Sequence, residues 1–207
     1  MPLPLSDSVF AERAAQVRAG KFSRKQMRSI REKAEKMVED GDMRAQLVID
    51  AVNQTAVPKL EKQYAFLGFC TDGTINSRLD GFWMQAGICK FDNIKNKIQI
   101  KQFTSIETGD TIILKKVLDW GVTIELVAYG EVLSRVSSDK TGLPYFHVDW
   151  HEHDEYLIVP AMAARSTVDV RSLEKVEESM PPEFWTWLST GRRTPNQHNR
   201  HLVEAQK

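Results

Sequence analysis

Read for the spacing of its apolar positions, the chain divides into a helical start, a strand-rich middle and a helical end. Val9, Phe10, Ala14 and Val17 recur at helical intervals behind Ser6 and Asp7, either of which suits an N-cap, and Gly20 supplies a stop. Ser23 opens a second helix, in which Met27, Ile30, Ala34, Met37 and Val38 form a narrow apolar stripe that ends at Gly41. A third helix is predicted over MRAQLVIDAVNQ, before Pro58 interrupts the pattern. From Tyr64 the period shifts towards two, and YAFLGFC reads as a strand closed by an Asp72-Gly73 turn. Asp80-Gly81 and Gly87 predict loops or a short helix around Phe82 and Trp83. IKNKIQIKQF alternates isoleucines with Lys95, Lys97 and Lys101, and is read as an edge strand or a turn into one.

Gly109-Asp110 then makes a tight turn into the strand TIILKKV, and Asp119-Trp120-Gly121 forms a hairpin loop. VTIELVAYGEVLSRV is long enough for a bent strand, with Gly130 as its bulge or point of close approach. After the loop SSDKTGLP come two further strands, YFHVDW and EYLIVP, joined by HEHD. Five or six mostly antiparallel strands of this length suit a small curled sheet or barrel better than a parallel sheet with crossovers. Beyond Arg165, VRSLEKVEESM and EFWTWL read as helices on either side of Pro181-Pro182. Trp185 and Trp187 lie two apart, so one is expected to pack inward and the other to cap a groove or a partner. The expected fold is therefore α+β: a small curled antiparallel sheet or pseudo-barrel with an N-terminal helical extension and C-terminal helices. Residues 1–62 form the extension, 63–188 the sheet domain with its C-terminal helices, and 189–207 a basic tail expected to be partly disordered.

Composition changes this picture little. Length of 207 residues allows one core plus a helical appendage, and 42% apolar with 27% charged residues is ordinary for a globular protein. Apolar runs such as LIVPAMAA fall short of the ~18 residues a membrane span needs. The first residues lack a basic segment followed by an apolar one, which makes the cytoplasm the default location. Cys70 and Cys89 are expected to be reduced core residues.

Charge is more informative. The net charge is zero, but residues 1–62 carry +3, residues 63–188 carry −6 and residues 189–207 carry +3. Attraction to a polyanion must then come from the ends or from a local patch. One such island lies at residues 90–116, with six lysines against Asp92, Glu107 and Asp110. Arg24, Lys25, Arg28, Arg31, Lys33 and Lys36 give the second helix a basic face. That face reads as a solvated surface paired with Glu32, Glu35 and Glu39, or as a phosphate-contacting one, on a helix expected to dock onto the sheet domain or a partner.

Few residues point to catalysis. HVDWHEHDE would place His147, Asp149, His151 and His153 on one strand face, a spacing similar to the HxH of cupins. Glu155 follows too closely for a third ligand and the bracketing glycines are absent, so a polar turn is the reading taken and no metal is assigned. No nucleophile elbow, phosphate-binding glycine loop, dinucleotide fingerprint or HExxH is present, and no cofactor is expected. The aromatic inventory suggests binding instead. Phe82, Trp83, Trp120, Tyr129, Tyr145, Phe146 and Trp150 fall in the sheet domain beside Asp80, Asp110, Lys115 and Asp149, the chemistry that sandwiches an unstacked base and reads its edge, although a small barrel core would use the same aromatics.

The succession DGFWMQAGI, TGDTIILKK, VAYGEV and VDW resembles the PUA-like superfamily, most closely its EVE-type domains and the N-terminal modules of McrB-type restriction systems. Trp83, Gly109, Asp110, Lys115, Gly130 and Trp150 match that pattern over residues 64–160, while the short loop after Lys115 and the HEHDE segment depart from it. The resemblance implies a non-catalytic pseudo-barrel that binds nucleic acid and holds a modified or flipped base in an aromatic pocket. Carried onto this chain, Trp83 and Trp150 line the pocket with Phe82 and Trp120, and Asp80 or Asp110 reads a base edge. Lys115 joins Lys95, Lys97, Lys101 and Lys116 on phosphate, with DNA favoured over RNA. The competing expectation is a protein-interaction module of a phage or mobile element that binds through the N-terminal helices. A metal-dependent enzyme using the cluster from His147 to His153 stands third.

Overall fold

A computed structural model describes residues 7–20, 22–58, 61–70, 78–91, 94–137, 142–161 and 166–196. The Asp72-Gly73 turn, the middle of the SSDKTGLP loop and the tail beyond residue 196 lie outside the described residues. Three helices open the chain as expected: α1 (Asp7–Arg18), α2 (Arg24–Glu39) and α3 (Gln46–Gln54), the last preceded by a short 3-10 turn. Ser23 and Gln26 form a capping box at the start of α2, each side chain accepting from the other's backbone N–H. Phe10, Ala14, Val17, Met27, Ala34, Val48, Ala51 and Val52 are buried between the helices in two small clusters.

The sheet contains β1 (Gln63–Gly68), β2 (Ile88–Cys89), β3 (Thr111–Asp119), β4 (Thr123–Val136), β5 (Tyr145–Pro160), β6 (Val168–Ser172) and β7 (Arg192–Arg193). Their order is β2-β5-β4-β3-β1-β6 with β7 paired to β5, and the sheet curls into a half-barrel. All pairs are antiparallel except β1 with β3, whose connection carries α4 (Asp80–Ala86), β2 and α5 (Lys97–Phe103). Both faces are buried, which is why β3 begins with the unbroken run TIIL. Ile112 and Leu114 enter the inner core with Leu67, Phe103, Phe146, Trp83 and Trp150. Ile113 faces the other way, onto an outer layer with Tyr64, Phe66, Leu126 and Tyr129. Helices α6 (Leu173–Ser179) and α7 (Pro182–Thr190) cover that layer through Val176, Phe184 and Trp187.

Four local expectations change. IKNKIQIKQF is not an edge strand: the Asn96 side chain accepts from Ile98 and Gln99 N–H and caps α5, which turns Ile100 and Phe103 inward and leaves Ile98 exposed. HEHD is not a turn, since β5 runs through it against β4, with register shifts between Leu126 and Ala128 and between Val132 and Ser134. Strand β6 precedes α6 where helix alone is expected, and β7 forms within the expected tail. Gly130 is a point of close approach, in register with Trp150: a Cβ there would stand 2.9 Å from the Asp149 carbonyl oxygen and from Trp150 Cε3.

The helical module is fixed to the sheet by buried ion pairs. Arg24 donates to both oxygens of Asp110 at 2.8 and 2.5 Å, and Arg31, two turns further along α2, donates to both oxygens of Glu107 at 2.5 and 2.7 Å. Asp110 also accepts from the backbone N–H groups of Gln63 and Glu107, each at 2.8 Å. All four charged residues are buried. The basic face of α2 is thus divided: Arg24 and Arg31 form an interface while Lys25, Lys33 and Lys36 face solvent. Removing one member of such a pair strands the other's charge. Arg31→Met is therefore expected to cost about 3–5 kcal/mol in urea unfolding, against less than about 0.5 kcal/mol for Lys25→Ala; equal midpoints for the two variants would refute the clamp.

Candidate functional site

Strand register builds an aromatic groove on the outer face of the sheet domain. Tyr64 on β1 pairs with Thr111 on β3, Thr111 with Glu131 on β4, and Glu131 with Asp149 on β5. One step along, Phe66, Ile113, Tyr129, His151 and Arg193 form the adjacent row. Alternation places both rows on the outer face. Helix α7 covers the second row: Phe184 stacks on Phe66 with centroids 6.3 Å apart, and Trp187 meets Tyr129 at 5.3 Å. The first row remains open as a groove of about 680 Å³.

Two aromatic pairs border this groove. Trp185 meets Tyr64 edge to face at 5.9 Å, and Tyr129 stacks on His151 at 5.0 Å. Thr111, Glu131, Asp149 and Ser189 supply hydrogen-bonding groups along its floor and rim. The charges offset one another, because Arg193 pairs with Asp149 at 2.9 Å and Lys62 with Glu131 at 3.4 Å. Burial pushes the phenol pKa of both tyrosines up, so each hydroxyl keeps its proton and can donate. The arrangement suits a flat, neutral group with a polar edge better than a highly charged one.

The expected site residues are dispersed. Trp83 and Trp150 are fully buried in the inner core, Trp83 edge-on to Phe91 and Trp150 donating through Nε1 to the Ile88 carbonyl at 3.2 Å, so neither ring faces an open pocket. Asp110 belongs to the clamp, and buried Asp80 is ion-paired with Arg78. Phe82 is exposed on α4, Lys95 and Lys97 are exposed beside and within α5, and Lys101 lines a separate cleft with Arg28, Arg31 and Arg135. Lys115, Lys116 and Trp120 do come together, in a cleft of about 390 Å³ at the far ends of β1 and β3. Tyr129 and Asp149 belong to the aromatic and polar inventory read from sequence, whereas Tyr64 does not. Only the parallel pairing of β1 with β3 and the placement of α7 unite Tyr64 with Trp185. Of the two neighbouring tryptophans, Trp187 packs inward and Trp185 borders the groove, as their spacing predicts.

His147 Nδ1 lies 3.0 Å from Ser134 Oγ, whereas His151 and His153 both meet Tyr129, at 5.0 and 6.0 Å, and His153 also stacks on Trp187 at 4.7 Å. Among the described residues no three His, Cys, Asp or Glu side chains are grouped to hold a metal ion. Neither Cys70 nor Cys89 is in a disulfide, and burial raises the Cys89 thiol pKa far from the range of a nucleophile. No protein-family model, curated protein or solved structure matches this chain.

Burial holds the His153 imidazole pKa below its usual value, with His151 adding to the effect. The folded state therefore favours neutral His153, and this contribution is present above the unfolded pKa of about 6.5 and lost as pH falls through the lower folded value. Urea titrations at pH 8 and pH 5 should show a fall in midpoint that is smaller in His153→Phe; an identical fall would remove His153 as a cause.

Proposed function

We propose that this chain is a non-catalytic nucleic-acid-binding protein that receives an unstacked base in the groove between Tyr64, Tyr129 and Trp185. The observation that carries the reading is the pair of aromatic borders around an open polar floor. An extruded base needs a π-face to rest on and groups to read its edge. Trp185, half-buried at the groove, supplies the first, and Thr111, Asp149 and Ser189 the second. Lys62 and Arg193 stand at the same groove for the flanking phosphates, each partly neutralised by its carboxylate, so the salt dependence should be shallow. DNA remains the favoured nucleic acid.

A second reading has its own support. Val9, Met43 and Leu47 are exposed on the helical module, beside a small cleft bordered by Phe10, Ile30, Met37 and Val48. A protein partner would use that surface, and pull-down that persists after nuclease treatment would favour it.

The test is fluorescence anisotropy with single-stranded oligonucleotides carrying cytosine, 5-methylcytosine or 5-hydroxymethylcytosine. Loss of one stacking face is worth roughly 1–3 kcal/mol per base, so Trp185→Ala should weaken binding about 5- to 150-fold. Absence of binding to all three oligonucleotides, or unchanged affinity in Trp185→Ala, would overturn the reading.

A further inference from the structure

We propose that the cleft at the far ends of β1 and β3 is a second site, specific for a phosphoryl group, in which Arg78, Lys115 and Lys116 receive the anion and Trp120 covers a flat group attached to it. This inference does not depend on the aromatic groove. Of the eleven described residues that line the cleft, three are cations and none is a carboxylate. Three nearby carboxylates are ion-paired, Asp80 with Arg78, Glu125 with Lys116 at 3.8 Å and Asp169 with Arg171 at 2.9 Å, while Asp119 is exposed on the adjoining hairpin. Arg78 is held over the Phe69 ring at 5.0 Å, which fixes its guanidinium at the cleft wall.

The rim has a different chemistry. Leu118, Trp120 and Val122 are all exposed at the β3–β4 hairpin, where none of them serves the core. An apolar, aromatic rim around a cationic interior matches a ligand that joins a phosphoryl group to a ring. Both a nucleic-acid strand and a free nucleotide have that chemistry.

Lys115 gives the site a pH signature. It is buried opposite Gly68 in the β1–β3 register, and burial lowers its ammonium pKa to about 8, with Asp169 of β6 opposing the shift and Arg171 adding to it. Arg78 stays charged, because its ion pair with the Asp80 carboxylate raises its guanidinium pKa, and burial makes Lys115 the lining cation whose pKa is moved down towards neutral pH. An anion held there requires the protonated form. The protonated fraction falls about tenfold between pH 7 and pH 9, and anion affinity should fall with it.

The experiment is an amide NMR titration of the full chain with three probes: inorganic phosphate, sulfate, whose charge is constant over this range, and a single-stranded dT12 oligonucleotide. Saturable shifts are expected at residues 68–70, 115–120 and 166–167, with sulfate bound about tenfold more weakly at pH 9 than at pH 7. Lys115→Arg should keep binding and abolish the pH dependence, and Lys116→Gln, a surface change that leaves folding intact, should weaken it. Trp120→Ala should weaken dT12 while sparing phosphate. Phosphate binding without dT12 binding would assign the site to a free phosphorylated molecule, and binding of both would assign it to a strand; each supports the site. No saturable shift at these residues with any probe, or pH-independent sulfate binding in the unaltered chain, would overturn it. Trp185→Ala should leave the phosphate titration unchanged, so failure here is separable from failure of the aromatic groove.

Discussion

Two bidentate arginine–carboxylate pairs, Arg24 with Asp110 and Arg31 with Glu107, fix the relation between the helices and the sheet. Their carboxylates sit in the turn that launches β3, the central strand through which β1 and β4 are joined. Gly109 completes that turn with φ of 89°, and a Cβ there would also stand 3.1 Å from that of Ala56. Buried ion pairs seldom add more net stability than apolar residues of the same volume, but a misplaced one is costly. Their effect is to select one docking of α2 and one start for β3. Everything on the outer face takes its position from that start.

From this constraint the division of chemistry along β3 follows. Thr111, next to the clamp, lies at the aromatic groove, and Lys115 lies at the cationic cleft. Four residues of strand separate them by ~13 Å. Helices α6 and α7 cover the outer layer, leaving one end to a neutral surface of tyrosine and tryptophan and the other to arginine and lysine. A nucleic acid presents the same two chemistries, flat bases and charged phosphates. The zero net charge of the chain is compatible with such a ligand because the cations that matter are local and none of the described residues lining their cleft is a carboxylate.

How much of this was legible depended on the range of the interaction. The first three helices were, because the stripe from Met27 to Val38, the Ser23 cap and the glycine stops all act within a few residues. Gly130 was also legible as a close approach, since a glycine within a strand has few other reasons. Arg24 and Arg31 were not: their partners lie 86 and 76 residues away, and in sequence they look like any other cation on a charged helix face. Alternating lysines concealed α5, whose deciding feature is the Asn96 cap. Trp83 and Trp150 show the limit of motif matching, because a ring that supports a barrel and a ring that binds a base occupy the same strand patterns. The groove itself needed the parallel β1–β3 pairing and the placement of α7, neither of which has a local signature.

Hydrogen–deuterium exchange of the full chain with and without a single-stranded oligonucleotide tests the central claim most directly. The account predicts added protection over Trp185–Arg193 and over the β4 and β5 segments around Tyr129–Glu131 and Asp149–His151, with α1 and α3 unchanged. Protection confined to the N-terminal helices, with the segments around the groove unaffected, would contradict it.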